Sequence, residues 1–209
     1  MRLLICTCLL LLLSACASRP PQPSYQANQV DQHLIAEQQQ RLANLNHWQL
    51  DGQVAVFDLV ADERHAVYLR WQQTATHLSM RFSHPLKGTL ATLEASAKGA
   101  ILTDDEGQQW RDRDVKRLLA RVLNLQLPIA TLQQLVIGRQ PNAAENLHYY
   151  QDGHIAELAL TLSDQRWNAQ LQDYRAVRND LLKLPHAVEL TSPQYRIKVK
   201  VSQWTLAPQ

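Results

Sequence analysis

Tyr195-Arg196-Ile197-Lys198-Val199-Lys200-Val201-Ser202 is the stretch on which the fold turns. Tyr195, Ile197, Val199 and Val201 alternate with Arg196, Lys198, Lys200 and Ser202, so a strand here has one apolar wall and one wet wall. The same period of two recurs upstream. Trp48, Leu50, Gly52, Val54 and Val56 alternate with Gln49, Asp51 and Gln53; residues 66–72 alternate through Val67, Leu69 and Trp71. Leu78, Met80 and Phe82 alternate with His77, Ser79 and Arg81. Further short strands are expected at 89–95, 100–103 and 108–111, the last after a turn at 104–107. Others follow at 147–151, 155–162, 166–174 and 187–190, with Asp152-Gly153 as a hairpin signal. Short strands joined by turns predict an antiparallel meander that closes as a barrel or curved sheet.

Two stretches break the pattern. Between Asp31, a candidate N-cap, and Leu45, the apolar residues Leu34, Ile35 and Leu42 lie among glutamines at helical spacing. In the middle of the chain Val115, Leu118, Leu119 and Val122 follow a helical period behind Asp112 or Asp114. Pro128 ends that helix, and Thr131 is expected to cap a second, short one carrying Leu132, Leu135 and Val136 and stopped by Gly138. The fold class is therefore mainly antiparallel β with helices (α+β). No internal repeat is evident, and one domain is expected over residues 31–207.

The N-terminus is of another kind. Arg2 precedes an apolar run at 3–13, too short for a membrane span, which needs about 20 residues, but suited to a signal peptide. The run ends Leu13-Ser14-Ala15-Cys16, which resembles the lipobox of bacterial lipoproteins. That resemblance implies removal of residues 1–15 and a covalent lipid on Cys16. Ala17 in place of an aspartate points to the outer membrane. Residues 17–28 are rich in Pro, Gln and Ser and read as a tether, so 16–30 form a lipidated, flexible N-terminus. Cleavage takes away Cys6 and Cys8, and lipid occupies the remaining cysteine, which leaves no disulfide, Cys-based metal site or thiol nucleophile. The formal charge of +2 falls to about +1 with Arg2 gone. A nearly neutral chain lacks the basic footprint of nucleic-acid binders.

Catalytic and metal-binding motifs are missing. The eight histidines form no His-x-x-x-His or His-Glu-x-x-His pair. His65, His77, His84, His148 and His154 fall on strands or turns, where solvated surface is the expectation. There is no Gly-x-Ser-x-Gly elbow, and the six glycines stand singly rather than in a phosphate loop. No catalytic residue, metal or cofactor is expected apart from the lipid on Cys16, and the chain should bind rather than turn over. The loop Ser83-His84-Pro85-Leu86-Lys87-Gly88 places a leucine at the tip of a connection. From pattern alone, Leu86 is expected to fold back onto the sheet, as most loop leucines do.

The chain resembles the LolB family. The similarity is spread over the mature length: Leu45-Asn46-His47-Trp48, Trp71-Gln72-Gln73, His84-Pro85-Leu86 and Leu127-Pro128-Ile129. It continues through Leu135-Val136-Ile137-Gly138 and 196–200 to Trp204. The resemblance implies an incomplete antiparallel half-barrel covered by helices around an apolar acyl-chain cavity. Candidate cavity residues are Val54, Val56, Leu69, Trp71, Met80, Phe82, Leu118, Leu119, Val122, Leu132 and Leu135. It also implies that the loop, through Pro85 and Leu86, takes part in membrane insertion. The implied partners are the periplasmic carrier LolA, acylated lipoprotein cargo and outer-membrane phospholipid, with a monomer sufficient. Two departures stand out. His84 and Lys87 occur where the family often has Asn-Pro-Leu-Gly, and Leu135 or a neighbour stands for a common tryptophan. The competing reading is an outer-membrane lipoprotein serving as a structural or assembly scaffold with no acyl ligand.

Overall fold

The computed structural model describes residues 30–123, 127–162, 164–178 and 182–206; the signal peptide, Cys16 and the tether at 17–28 lie outside the described residues. Helix α1 (Gln32–Ala43) begins where expected, with the Asp31 carboxylate accepting the His33 N–H at 2.8 Å. It buries Ile35 and Leu42. Six strands follow: β1 (Trp48–Asp58), β2 (Glu63–Gln73), β3 (His77–His84), β4 (Gly88–Ser96), β5 (Gly99–Asp104) and β6 (Gln109–Asp112). Helices α2 (Val115–Leu123) and α3 (Ile129–Leu135) come next. Strands β7 (Ala144–Tyr149), β8 (Ile155–Leu162), β9 (Gln165–Arg178), β10 (Leu182–Thr191) and β11 (Tyr195–Leu206) complete the chain.

The strands form one antiparallel sheet in the order β6-β5-β4-β3-β2-β1-β11-β10-β9-β8-β7. Its centre is the pairing of the first strand with the last, from Trp48↔Leu206 to Asp58↔Tyr195. Ser202 bulges out of that ladder between Asp51 and Gly52, and its hydroxyl donates to the Asp51 carbonyl at 2.8 Å. At Gly52 the two strands approach so closely that a Cβ would collide with the Lys200 carbonyl oxygen. The sheet does not close on itself. Its edges are β6 and β7, and the chain between them runs through α2 and α3, with α2 packed on β5 and β6.

Alternation settles which side is inside. Leu50, Leu69, Trp71, Met80, Leu93, Ile197, Val199 and Val201 are buried together with Leu118 and Leu135 from the helices and Leu158, Trp167 and Leu171 from the later strands. Trp48 packs against Trp71 (centroids 5.3 Å apart) and edge-on to Trp204 (5.6 Å), whose indole N–H reaches the Pro185 carbonyl at 3.2 Å. The segment after α3 stitches α1 to this core. The Arg139 guanidinium donates to the carbonyls of Leu42, Ala43 and Leu45, and Gln39 bonds both Gly138 O and Gln140 N. The bonds to Leu42 and Ala43 satisfy two of the carbonyls that a helix leaves orphaned at its C-terminus.

Two local expectations are corrected. Helix α3 starts at Ile129, with Pro128 at its N-cap and no side-chain cap; Thr131 lies inside the helix. Proline suits this place because its missing N–H costs little at a helix start. For α2 the cap is Asp114, whose carboxylate accepts the Arg117 N–H at 2.9 Å. His154 is buried, not solvated.

Gly52→Ala is expected to destabilise the protein by about 2 kcal/mol or more, because the collision is with backbone that has a strand on each side. Urea melts should show a lower midpoint at unchanged m-value; a midpoint within error of the parent would refute the close approach.

Candidate functional site

The β3–β4 turn carries the most exposed large apolar side chain among the described residues. Leu86 is 91% accessible, so it does not fold back onto the sheet. Its presentation is specific. The Leu86 N–H donates to the Nδ1 of His84 at 3.2 Å, and Gly88 takes φ +75° to turn the chain into β4. An asparagine at the first position of such a turn accepts the N–H two residues on through its side-chain oxygen. The His84 ring nitrogen does the same work here, which accounts for the departure at this position. Pro85 fixes the backbone between them.

A second apolar tip lies at the same end of the sheet. In the β1–β2 turn Val60 is 78% and Leu59 45% exposed. Asp58 Oδ1 accepts the N–H groups of both Val60 and Ala61 at 2.9 Å, Asp62 sits at φ +55°, and the Leu59 N–H reaches Gln194 O at 2.7 Å. Sequence reasoning passed over this tip. The signal was present as two apolar residues between aspartates in a turn, Asp58-Leu59-Val60-Ala61-Asp62.

The eleven residues expected to line an acyl cavity all belong to one hydrophobic cluster or pack against it. Leu69, Trp71, Met80, Leu118, Leu119, Leu132 and Leu135 are buried; Val54, Val56, Phe82 and Val122 are half-buried. Val54, Val56 and Phe82 lie on the inner wall toward the Leu86 end, where β1, β2 and β3 run beyond the deepest packing. Burial in a shared core explains each of these positions by itself.

One polar cluster lies at the β7–β8 turn, with His154 buried and Asp152 and Lys183 half exposed. The His154 Nδ1 lies 3.0 Å from Asp152 Oδ1, and Lys183 Nζ lies 3.3 Å from Oδ2. Hydrogen bonding with His154 comes first in holding the Asp152 carboxyl far below the usual carboxylate range. The charges of His154 and Lys183 add to it, against the desolvation that burial imposes. Tyr174 packs 4.5 Å from the imidazole and donates its hydroxyl to Ile155 O at 2.9 Å; burial pushes that phenol well above its ordinary value. The group clasps the β7–β8 turn to β9 and β10. Among the described residues no group of three or more His, Cys, Asp or Glu is placed to hold a metal ion, and no helix is long and apolar enough to cross a membrane.

Two predictions follow from this geometry. His84→Ala should remove hydrogen-exchange protection from the Leu86 amide while His84→Asn retains it; equal loss in both would refute the turn assignment. Asp152→Asn should lower the melting temperature at neutral pH. Because the native pKa is depressed, the carboxylate's contribution is full above the unfolded value of about 4 and is lost as pH falls through the native value. The gap between parent and variant should therefore be constant above about pH 5 and narrow below about 4. A gap independent of pH would exclude ionic stabilisation.

Residues 46–204 match the family described as "Outer membrane lipoprotein LolB". Among curated relatives, the outer-membrane lipoprotein LolB of Vibrio cholerae serotype O1 is 29% identical over 204 residues, covering 95% of this chain and 93% of the relative. That of Psychromonas ingrahamii is 28% identical, covering 96% and 94%, and that of Klebsiella pneumoniae strain 342 is 30% identical, covering 93% of each. Among solved structures, a LolA superfamily protein from Nitrosomonas europaea superposes with a TM-score of 0.56 at 7% identity, over 87% of this chain and 95% of that one. That likeness is one of fold.

Proposed function

The chain belongs to the LolB family of outer-membrane lipoproteins, and from that premise we propose that it is the membrane-anchored receptor that accepts acylated lipoproteins from the carrier LolA and inserts them into the outer membrane. Residues 1–15 are the signal peptide, Cys16 carries the lipid, 16–30 tether the protein to the periplasmic side, and 31–207 form the receptor domain. The observation that carries the reading is Leu86, 91% exposed at the tip of a hydrogen-bonded turn. With Leu59 and Val60 exposed on the neighbouring turn, it belongs to a local apolar surface rather than standing as a scattered leucine, as a contact with an apolar medium requires.

The inner wall suits the cargo. An acyl chain in water forfeits about 0.8 kcal/mol for every CH₂ that could be buried. The wall formed by β1–β3 and covered by α2 and α3 offers aliphatic and aromatic side chains without a charged group among the eleven candidates. Most of its residues are buried in one cluster, so cargo enters by parting side chains and helices, starting where Val54, Val56 and Phe82 are half-buried. Transfer then runs downhill in affinity from carrier to receptor to bilayer, each tenfold step worth about 1.4 kcal/mol. No hydrolysis is needed. The tether keeps the domain near the bilayer and raises the effective concentration for the last step.

A soluble chain lacking residues 1–15 and carrying Cys16→Ala should take an acylated lipoprotein from loaded carrier in a pull-down. Leu86→Glu should leave that uptake intact and slow insertion into phospholipid vesicles tenfold or more. Failure of the folded parent to take up cargo would overturn the receptor reading in favour of the scaffold; equal loss of both steps in Leu86→Glu would overturn the role of the loop.

A further inference from the structure

The outer face of the sheet carries a charge pattern that cargo binding does not use. On β1, β2, β3 and β11 the outward side chains include Arg64, Arg70, Arg81, Arg196, Lys198 and Lys200 against a single carboxylate, Asp51. Five net positive charges on this face contrast with +2 for the whole chain. Part of the charge is answered locally. Asp51 pairs with Arg70 at 2.6 Å, Lys198 with Glu189 of β10 at 2.8 Å, and Arg64 and Arg196 lie over the Phe57 ring at 5.3 and 4.4 Å. Arg81 and Lys200 form no direct ion pair among the described residues, although Lys200 is within electrostatic reach of Asp173 on β9.

The face is also hollowed, for a topological reason. β3 pairs with β2 only between Tyr68 and Gln73 and then turns, whereas β2 runs on to Glu63 beside β1 alone. The sheet therefore steps down beside the Leu86 turn. Two adjoining hollows of about 450 and 310 Å³ lie at the step and share Tyr68 and His84 as a common wall. The larger contains Arg70 and Arg81 with Ser83 and Thr89, and Asp51 on its rim. The smaller contains Arg64, Lys198 and Lys200 and reaches Pro85.

We propose that this stepped, basic outer face binds the phosphate headgroups of anionic phospholipid in a bilayer that Leu86 has entered. The inference rests on the reading of Leu86 as a membrane-entering residue. Distance supports it. At about 3.3 Å per residue, Ser83 and Arg81 stand on the order of 10 and 16 Å behind Leu86 along the chain. The polar layer outside the hydrocarbon is roughly 5–8 Å deep on each side. A leucine in the acyl boundary thus puts His84 in the headgroup layer and Ser83 and its partner Tyr68 at the outer margin of that layer, with Arg81 and Lys200 within about a Debye length of the charged surface. Tyr68, 46% exposed in the middle of the cations, has the apolar body and polar tip favoured at that depth. Leu59 and Val60, on the other hairpin at this end, flank the step with further apolar surface.

The test uses the soluble Cys16→Ala chain without residues 1–15, vesicles of phosphatidylcholine alone or with about 30% phosphatidylglycerol, and cosedimentation. Binding should rise with phosphatidylglycerol and fall with salt. Arg81→Gln/Lys200→Gln should reduce binding to the anionic vesicles roughly ten- to thirtyfold and leave the phosphatidylcholine value unchanged. Lys98→Gln/Arg113→Gln, which removes the same charge at the opposite end of the sheet, should bind like the parent. Equal binding to both vesicles, or equal loss in both double variants, would overturn the proposal. Cargo uptake from loaded carrier is measured on the same proteins. Retained uptake with charge-independent vesicle binding removes this inference and leaves the receptor reading; absent uptake in the parent removes the receptor reading. Loss of uptake rather than vesicle binding in Arg81→Gln/Lys200→Gln would reassign the face to an acidic protein partner.

Discussion

Eleven backbone pairs between β1 and β11 bring the two ends of the fold together at the middle of the sheet. All else is arranged around that ladder. Counting outward from it, β2 to β6 form one wing and β10 back to β7 the other, each a run of neighbours in sequence. The chain must cross from one free edge to the other, and it does so through α2 and α3. The helices are thus placed by topology over the open side of the sheet. Gly52 marks the closest approach of the central pair, and the Ser202 bulge beside it lets the ladder continue past the contact.

The same ladder sorts apolar from charged surface. Alternation on β1 and β11 sends Leu50, Val54, Val56, Ile197, Val199 and Val201 inward and Asp51, Arg196, Lys198 and Lys200 outward. An apolar interior and a basic exterior are two consequences of one register, and a slip by one residue would exchange them. At one end of the sheet the hairpins outrun the packing. There the strands give way to turns whose backbone is fixed by side chains, Asp58 under Val60 and His84 under Leu86. Exposed apolar residues on ordered turns thus stand next to a cationic face, the arrangement on which the proposed contact with a bilayer rests.

The clasp of Asp152, His154, Lys183 and Tyr174, in which His154 is buried and Asp152 and Lys183 remain half in water, shows another use of polar groups. It sits where the β7–β8 turn passes under α1, with the backbone of Leu34 and Ile35 against Gly153 at φ +82°. A side chain at Gly153 has no room, and His154 beside it is buried. The ion pairs to Asp152 join the turn to His154 and to Lys183 of β10, at the edge of the sheet beside α1.

Much of this was determined by the sequence alone. The period of two at 48–56, 66–72, 78–82 and 195–202 identified strands and their buried sides, because pleat geometry admits no other arrangement of the side chains. Asp31, Gly138 and Asp152-Gly153 marked ends and turns for equally local reasons, and the motifs from Leu45 to Trp204 carried the family. What depends on distant partners was not legible. The meeting of β1 with β11, some 150 residues apart, is decided only when the wings fold, and with it which strands are edges. The burial of His154 follows from α1 closing over a turn that looks solvated in isolation. Leu86 stands clear because the His84 ring claims its backbone, and the cationic face exists because residues from β2, β3 and β11 share one side of a sheet whose strand order no local pattern encodes.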